Sequence, residues 1–138
     1  MAAYNKINQF VQDLAHKVHN LSSDQCVVAL CAAANAPVAT NTVLANLTQI
    51  SYTNLSSRNL TVTTSAHSSG TFTQLFADLV LSASGGAVAT FRYVVIYNDT
   101  PTSPADPLIC WYDYGSNLTL ASGESLTIDF TTSTFTLA

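Results

Sequence analysis

The chain has 138 residues and a formal charge of −4, and only 9% of it is Asp, Glu, Lys or Arg, against ~25% in an ordinary domain. Its four basic residues, Lys6, Lys17, Arg58 and Arg92, are scattered, which excludes the clustered cations of a nucleic-acid binder or a polybasic membrane patch. No apolar run reaches the ~18–20 residues of a membrane span, and Met1–Asp13 has no apolar core, so no secretory signal is expected.

Ile7, Phe10, Val11, Leu14, Ala15, Val18 and Leu21 recur at spacings of three and four. That pattern predicts an amphipathic helix over Asn5–Asn20, ending near the Ser22-Ser23-Asp24 turn. One such stripe in front of a β-rich sequence also suits an arm, so residues 1–24 read as an N-terminal helix or arm and residues 25–138 as the main domain. From Gln25 the period becomes two, and Cys26, Val28 and Leu30 alternate with Val27 and Ala29 in a short buried strand. Ala32–Thr42, with Pro37 and many small residues, reads as a loop. Val43–Ile50 fits either a helical turn or a strand, and Leu60–Ser65 alternates as a half-exposed strand.

Thr71–Leu81 places Leu75, Ala77, Leu79 and Leu81 on one strand face, and Gly85-Gly86 marks a hairpin turn. Val88–Tyr97 is apolar enough for a central strand covered on both sides. A three-residue turn at Ser84-Gly85-Gly86 would set Asp78 opposite Arg92, an expected cross-strand ion pair. After a loop at Asn98–Asp106, Pro107–Tyr114 reads as a strand with Leu108, Cys110, Tyr112 and Tyr114 on one side. Leu126, Ile128 and Phe130 alternate with Ser125, Thr127 and Asp129. Phe135 and Leu137 have the opposite parity, which requires a bulge or turn near Thr131–Ser133. Short strands broken by frequent turn signals predict a mainly β protein. The expected architecture is an antiparallel β-sandwich, jelly-roll or immunoglobulin-like, with one N-terminal helix or arm.

Chemistry is harder to find. His16 and His19 lie three apart, with Asp13 three earlier, so one helix face could hold a metal. The apolar stripe owns the core face, however, and both histidines are expected on the solvated side. His67 reads as a turn residue between strands. No Gly-x-Ser-x-Gly elbow is present, and Ser68-Ser69-Gly70 is turn chemistry. Asp99, Asp106 and Asp113 are spaced too widely for a compact calcium loop. No catalytic, cofactor-binding or metal residue is therefore assigned, and no enzymatic activity is expected. Cys26 and Cys31 sit at opposite parity on one strand, and with Cys110 they read as reduced, buried thiols. The aromatic run Trp111-Tyr112-Asp113-Tyr114, with Tyr93 and Tyr97, fits core filling, and a sugar-stacking platform is the competing reading.

Four stretches together look familiar: NKINQFVQDLAHKVHNL at Asn5–Leu21, APVATNTVLANLTQI at Ala36–Ile50, FRYVVIYNDT at Phe91–Thr100 and PLICWYDYG at Pro107–Gly115. Along nearly its full length the chain resembles small virion structural proteins of tailed bacteriophages. The resemblance implies a non-enzymatic capsid decoration (cement) protein, made in the host bacterial cytoplasm and carried on the capsid surface. Its partners would be the major capsid protein and further copies of itself as a homo-oligomer, with no nucleic acid, membrane or small-molecule substrate. A tail or neck component, or a carbohydrate-binding adhesion module, are the alternatives. The depleted charge agrees with all three, because neutral faces cost little desolvation when they are covered.

Overall fold

The backbone of Tyr4–Lys6 does not continue a helix, because its hydrogen bonds go elsewhere. A computed structural model describes residues 2–138 and pairs this segment, β1, antiparallel with a later strand: Tyr4 faces Tyr112, Asn5 faces Trp111 and Lys6 faces Cys110. The next amides extend the docking, with Ile7 N–H donating to Ile109 O at 3.1 Å and Asn8 N–H to Ala39 O at 2.9 Å. Helix α1 is therefore only Gln9–Ala15, shorter than the expected Asn5–Asn20.

Its C-terminus explains the rest of the difference. Lys17 takes a left-handed conformation, φ 64°. Its N–H reaches Leu14 O at 3.2 Å, and Val18 N–H reaches back to Asp13 O at 2.9 Å. This is a Schellman stop, which satisfies the last carbonyls and turns the chain away. The helix buries Phe10 and Asp13, while Val11 on the expected apolar stripe is 48% exposed.

Seven further antiparallel strands, and one more at the C-terminus, complete a mainly β fold: β2 Cys26–Cys31, β3 Val62–Ser68, β4 Thr71–Phe76, β5 Leu79–Ser82, β6 Phe91–Asn98, β7 Leu108–Leu118, β8 Ser125–Ile128 and β9 Phe135–Leu137. They form a four-stranded sheet in the order β1-β7-β6-β2, a three-stranded sheet β3-β4-β9 and a two-stranded sheet β5-β8. Val43–Ile50 contributes a single 3₁₀ turn at Leu44–Asn46. The turn between β3 and β4 is only Ser69-Gly70, with φ of 50° and 82°, the paired positive values of a tight hairpin. His67 consequently lies within β3, opposite Phe72, and is not a turn residue.

The expected long strand Thr71–Leu81 is two strands in two different sheets. Phe72, Gln74 and Phe76 carry the inward parity of β4, with Gln74 and Phe76 fully buried. The chain then breaks at Ala77-Asp78, and the Asp78 carboxylate accepts the Phe130 N–H at 2.9 Å. The Gly85-Gly86 segment does turn, with Gly85 at φ 81°, but it joins no hairpin. β5 pairs with β8, while β6 pairs with β2 and β7. The Asp78–Arg92 ion pair is thereby overturned. Arg92 instead forks onto Asp113, with Nε–Oδ1 2.8 Å and Nη2–Oδ2 2.9 Å.

The core gathers residues from all three sheets. Ile7, Phe10, Leu30, Phe76, Leu81, Phe91, Ile96, Leu108 and Ile109 form one contiguous apolar cluster with negligible exposure. A fully buried side chain of this size contributes about 1.5–3 kcal/mol, so residues 2–24, through Ile7 and Phe10, share in the main core. Both faces of β6 are covered, as its continuous apolar run requires.

Candidate functional site

A groove of about 640 Å³ lies beside the outer edge of the four-stranded sheet. Alternation along β7 turns Tyr112 and Tyr114 toward one face, and β1 adds Tyr4 directly opposite Tyr112. The Tyr4 and Tyr112 rings meet edge to face, with centroids 6.0 Å apart and planes at 69°. Tyr4 also leans on Phe135 at 6.2 Å, which fixes its ring from behind. Val94 on β6 and Leu126, Ile128 and Phe130 at β8 also line the groove. Thr127, Thr131, Ser133 and Thr134 supply hydroxyls, and among the described residues Asp129 is the only charged one of the lining.

Tyr114 is 49% and Tyr4 37% exposed, so the groove presents aromatic surface to solvent. Burial, with a smaller contribution from Cys110, pushes the Tyr4 phenol well above its ordinary value. Burial raises Tyr112 as well. Both hydroxyls stay protonated at neutral pH and act as hydrogen-bonding groups, not charges. Beyond Tyr112 the strand bulges: Asp113 still faces Tyr93, but the next pair is Leu118 with Phe91. Residues 114–117 are left exposed, and Gly115 supports the excursion with φ 93° and an N–H bonded to Asp113 Oδ1 at 2.8 Å.

The histidines separate. His16 is exposed, whereas His19, expected on the solvated face, is only 8% exposed. The early helix stop explains the burial, because Val18 and His19 follow a turn and not a helix face. The His19 ring sits edge-on to Phe10 at 5.3 Å. Thr100 N–H donates to Asn98 Oδ1 at 3.1 Å, which leaves Asn98 Nδ2 to donate to Asp24 Oδ2 at 2.6 Å and to His19 Nδ1 at 3.0 Å. The His19 proton therefore resides on Nε2. Burial lowers the His19 pKa against the opposing pull of Asp13 and Asp24, so the ring is neutral.

His19 Nε2, Asp13 Oδ2 and Gln74 Oε1 are buried without a protein partner. A second, open cleft of about 630 Å³ passes His19, Asp24, Ser65, Phe72 and Thr100, but those three atoms are sealed from solvent. Among the described residues no group of three or more His, Cys, Asp or Glu is arranged to hold a metal.

The remaining candidates disperse. Ser68 and His67 are exposed on β3. Asp99 and Asp106 come together across their loop, where burial and then the Asp99 charge raise the Asp106 carboxyl. Asp113 is instead held below the usual carboxylate range by the Arg92 guanidinium. Cys26, Cys31 and Cys110 are buried free thiols, and burial pushes Cys26 up to about 12. Of the aromatic run, Tyr112 and Tyr114 reach the groove, while Trp111, Tyr93 and Tyr97 do not line it.

Sequence reasoning overlooked Tyr4 and Asn98. The usable signals were the alternation of Tyr4-Asn5-Lys6-Ile7 and the single amide ending an otherwise apolar strand. The chain matches no family model, no curated protein and no solved structure.

Proposed function

We propose that this chain is a non-enzymatic virion structural protein, a capsid decoration protein that binds the major capsid protein lattice and stabilises the head. The observation that supports this reading best is the neutrality of the exposed faces. Thr61, Thr63, Ala66, Ser68 and Thr71 on the β3-β4 side are exposed, as are Ser125, Thr127 and Thr136 on β8 and β9. Covering hydroxyls and methyls requires far less desolvation than covering ions. Many copies on a shell also multiply a modest contact into lasting attachment. The architecture belongs to the same proposal: three antiparallel sheets sharing one core fit an open β-sandwich of jelly-roll or immunoglobulin-like character, able to present whole sheet faces to neighbours.

The test is reconstitution. Purified protein is mixed with heads stripped of accessory proteins, sedimented, and imaged as particles. Stoichiometric density on the capsid surface, with heads more resistant to heat or chaotrope, is the expected result. Protein that stays in the supernatant at saturating concentration, or density confined to the tail or neck, overturns the head assignment.

A further inference from the structure

We propose that the tyrosine groove binds a neutral saccharide, with Tyr114 and Tyr4 as stacking surfaces and Asp129 as the orienting acceptor. The inference stands on the groove alone and is independent of where the protein sits on a particle. A pyranose ring has an apolar C–H face and a rim of hydroxyls, and the groove offers both complements. Tyr114 is 49% exposed and Tyr4 37% exposed, and both line the same hollow. Tyrosine suits this work because its ring is apolar and rigid while its hydroxyl still hydrogen-bonds.

The hollow, about 640 Å³, falls within the ~300–1,000 Å³ typical of small-ligand sites. Thr127 and Thr131 are exposed residues that also line the hollow and carry hydroxyls. Asp129, also exposed, brings a carboxylate to the lining, and hydrogen bonds to carboxylates are among the stronger kind. Its charge sets the ligand class. Among the described residues the lining has one carboxylate and no cation, which disfavours acidic sugars and phosphates and suits neutral polyols.

An extended peptide fits less well. Strand addition needs a run of free backbone groups along an edge. β8 offers four residues and β1 three, and the Phe130 N–H just past β8 is already taken by Asp78.

The experiment screens the full chain on a broad glycan array. Isothermal titration with cellotriose, chitotriose and maltotriose follows, with sialyllactose as the acidic arm and an extended neutral peptide as the protein arm. Saturable binding of a neutral trisaccharide is expected. Tyr114→Ala and Asp129→Asn should each weaken it about tenfold, the scale of one lost aromatic stacking contact or of one charged hydrogen bond respectively, while the melting temperature of both variants stays that of the parent. No binding across the neutral glycans overturns the proposal. So does affinity that survives both substitutions, or a groove that takes only the acidic sugar or only the peptide.

Discussion

The two ends of the sheet system are finished in opposite ways. On one side, the outer edge of β2 is closed by residues 50–60. Ile50 N–H bonds to Leu30 O at 3.0 Å, Val28 N–H to Arg58 O at 2.9 Å and Leu60 N–H to Cys26 O at 2.9 Å. The Tyr52 hydroxyl accepts the Leu30 N–H at 3.0 Å and donates to Gln49 at 2.6 Å. The Arg58 guanidinium lies 3.7 Å over the Tyr52 ring and also donates to Val28 O. On the other side, β1 and β8 border the tyrosine groove with no such strap. Unpaired edges invite other chains, and folds normally cover or charge them. This chain, with four basic residues, commits one of them to sealing β2, and none of the four lines the groove. The sealed edge is held by side chains as well as backbone, and the open side is bordered by β1 and β8.

That contrast is broken most directly at Arg58. Arg58→Ala removes a charged hydrogen bond to a strand carbonyl and a partly buried cation–π contact, and should cost about 3 kcal/mol. Urea denaturation of the variant against the parent measures it. A loss indistinguishable from zero would mean that the strap is ornamental and the two edges are equivalent.

A second effect acts at the end of the same sealed side, where Asn98 of β6 pairs with Cys26 of β2 and holds His19. Unfolded, His19 titrates near 6.5, and burial lowers it in the fold. The unfolded chain therefore binds more protons, so stability present above pH ~6.5 is lost as the pH falls through the folded value. Protonation would also put a hydrogen on Nδ1, where Asn98 already donates. Denaturation midpoints for parent and His19→Gln between pH 7.5 and 5 decide the matter. The parent should weaken on acidification more than the variant, and parallel curves would remove His19 from the account.

How much of this was legible beforehand follows from which forces act locally. Alternation marked β2, β7 and β8, because burial of one face leaves a period of two, and an unbroken apolar run marked β6, which is covered on both faces. The parity change at Phe135 required only a bulge or turn near Thr131–Ser133; there the chain leaves the β5-β8 sheet for the β3-β4-β9 sheet. The helix was overdrawn because Lys17, a residue with no special preference for positive φ, makes the Schellman stop that glycine usually makes. The Asp78–Arg92 pair failed because a glycine turn fixes a local reversal but not which strands flank it. Asp78 instead ties the start of β5 to the end of β8, a contact between residues 52 positions apart. The groove was half visible: Tyr112 and Tyr114 stood out as aromatics, yet only tertiary pairing brings Tyr4 beside them.

Asp78 also sharpens the comparison, since its carboxylate ties the start of β5 to the Phe130 N–H just past β8. Asp78→Ala frees the Phe130 N–H and should cost about 1 kcal/mol, less than the loss of Arg58. Asp78→Asn keeps an acceptor oxygen and should recover most of that stability. Equal losses for the two substitutions would show that charge, and not the hydrogen bond, holds the end of β8.

The smallest effect is expected at Tyr114, and its smallness is the point. The side chain lies on the exposed bulge of β7, half of its surface faces solvent, and the core is complete without it. Surface substitutions away from caps and buried networks stay within about 0.5 kcal/mol, so Tyr114→Ala should unfold at the parent's denaturant midpoint. Large aromatic side chains are ordinarily kept where they bury area, and an exposed one that contributes nothing to folding is available for contact with something else. If Tyr114→Ala instead destabilises the fold as strongly as Arg58→Ala, then the groove wall is part of the packing. The division between a sealed edge and a free surface would then be wrong.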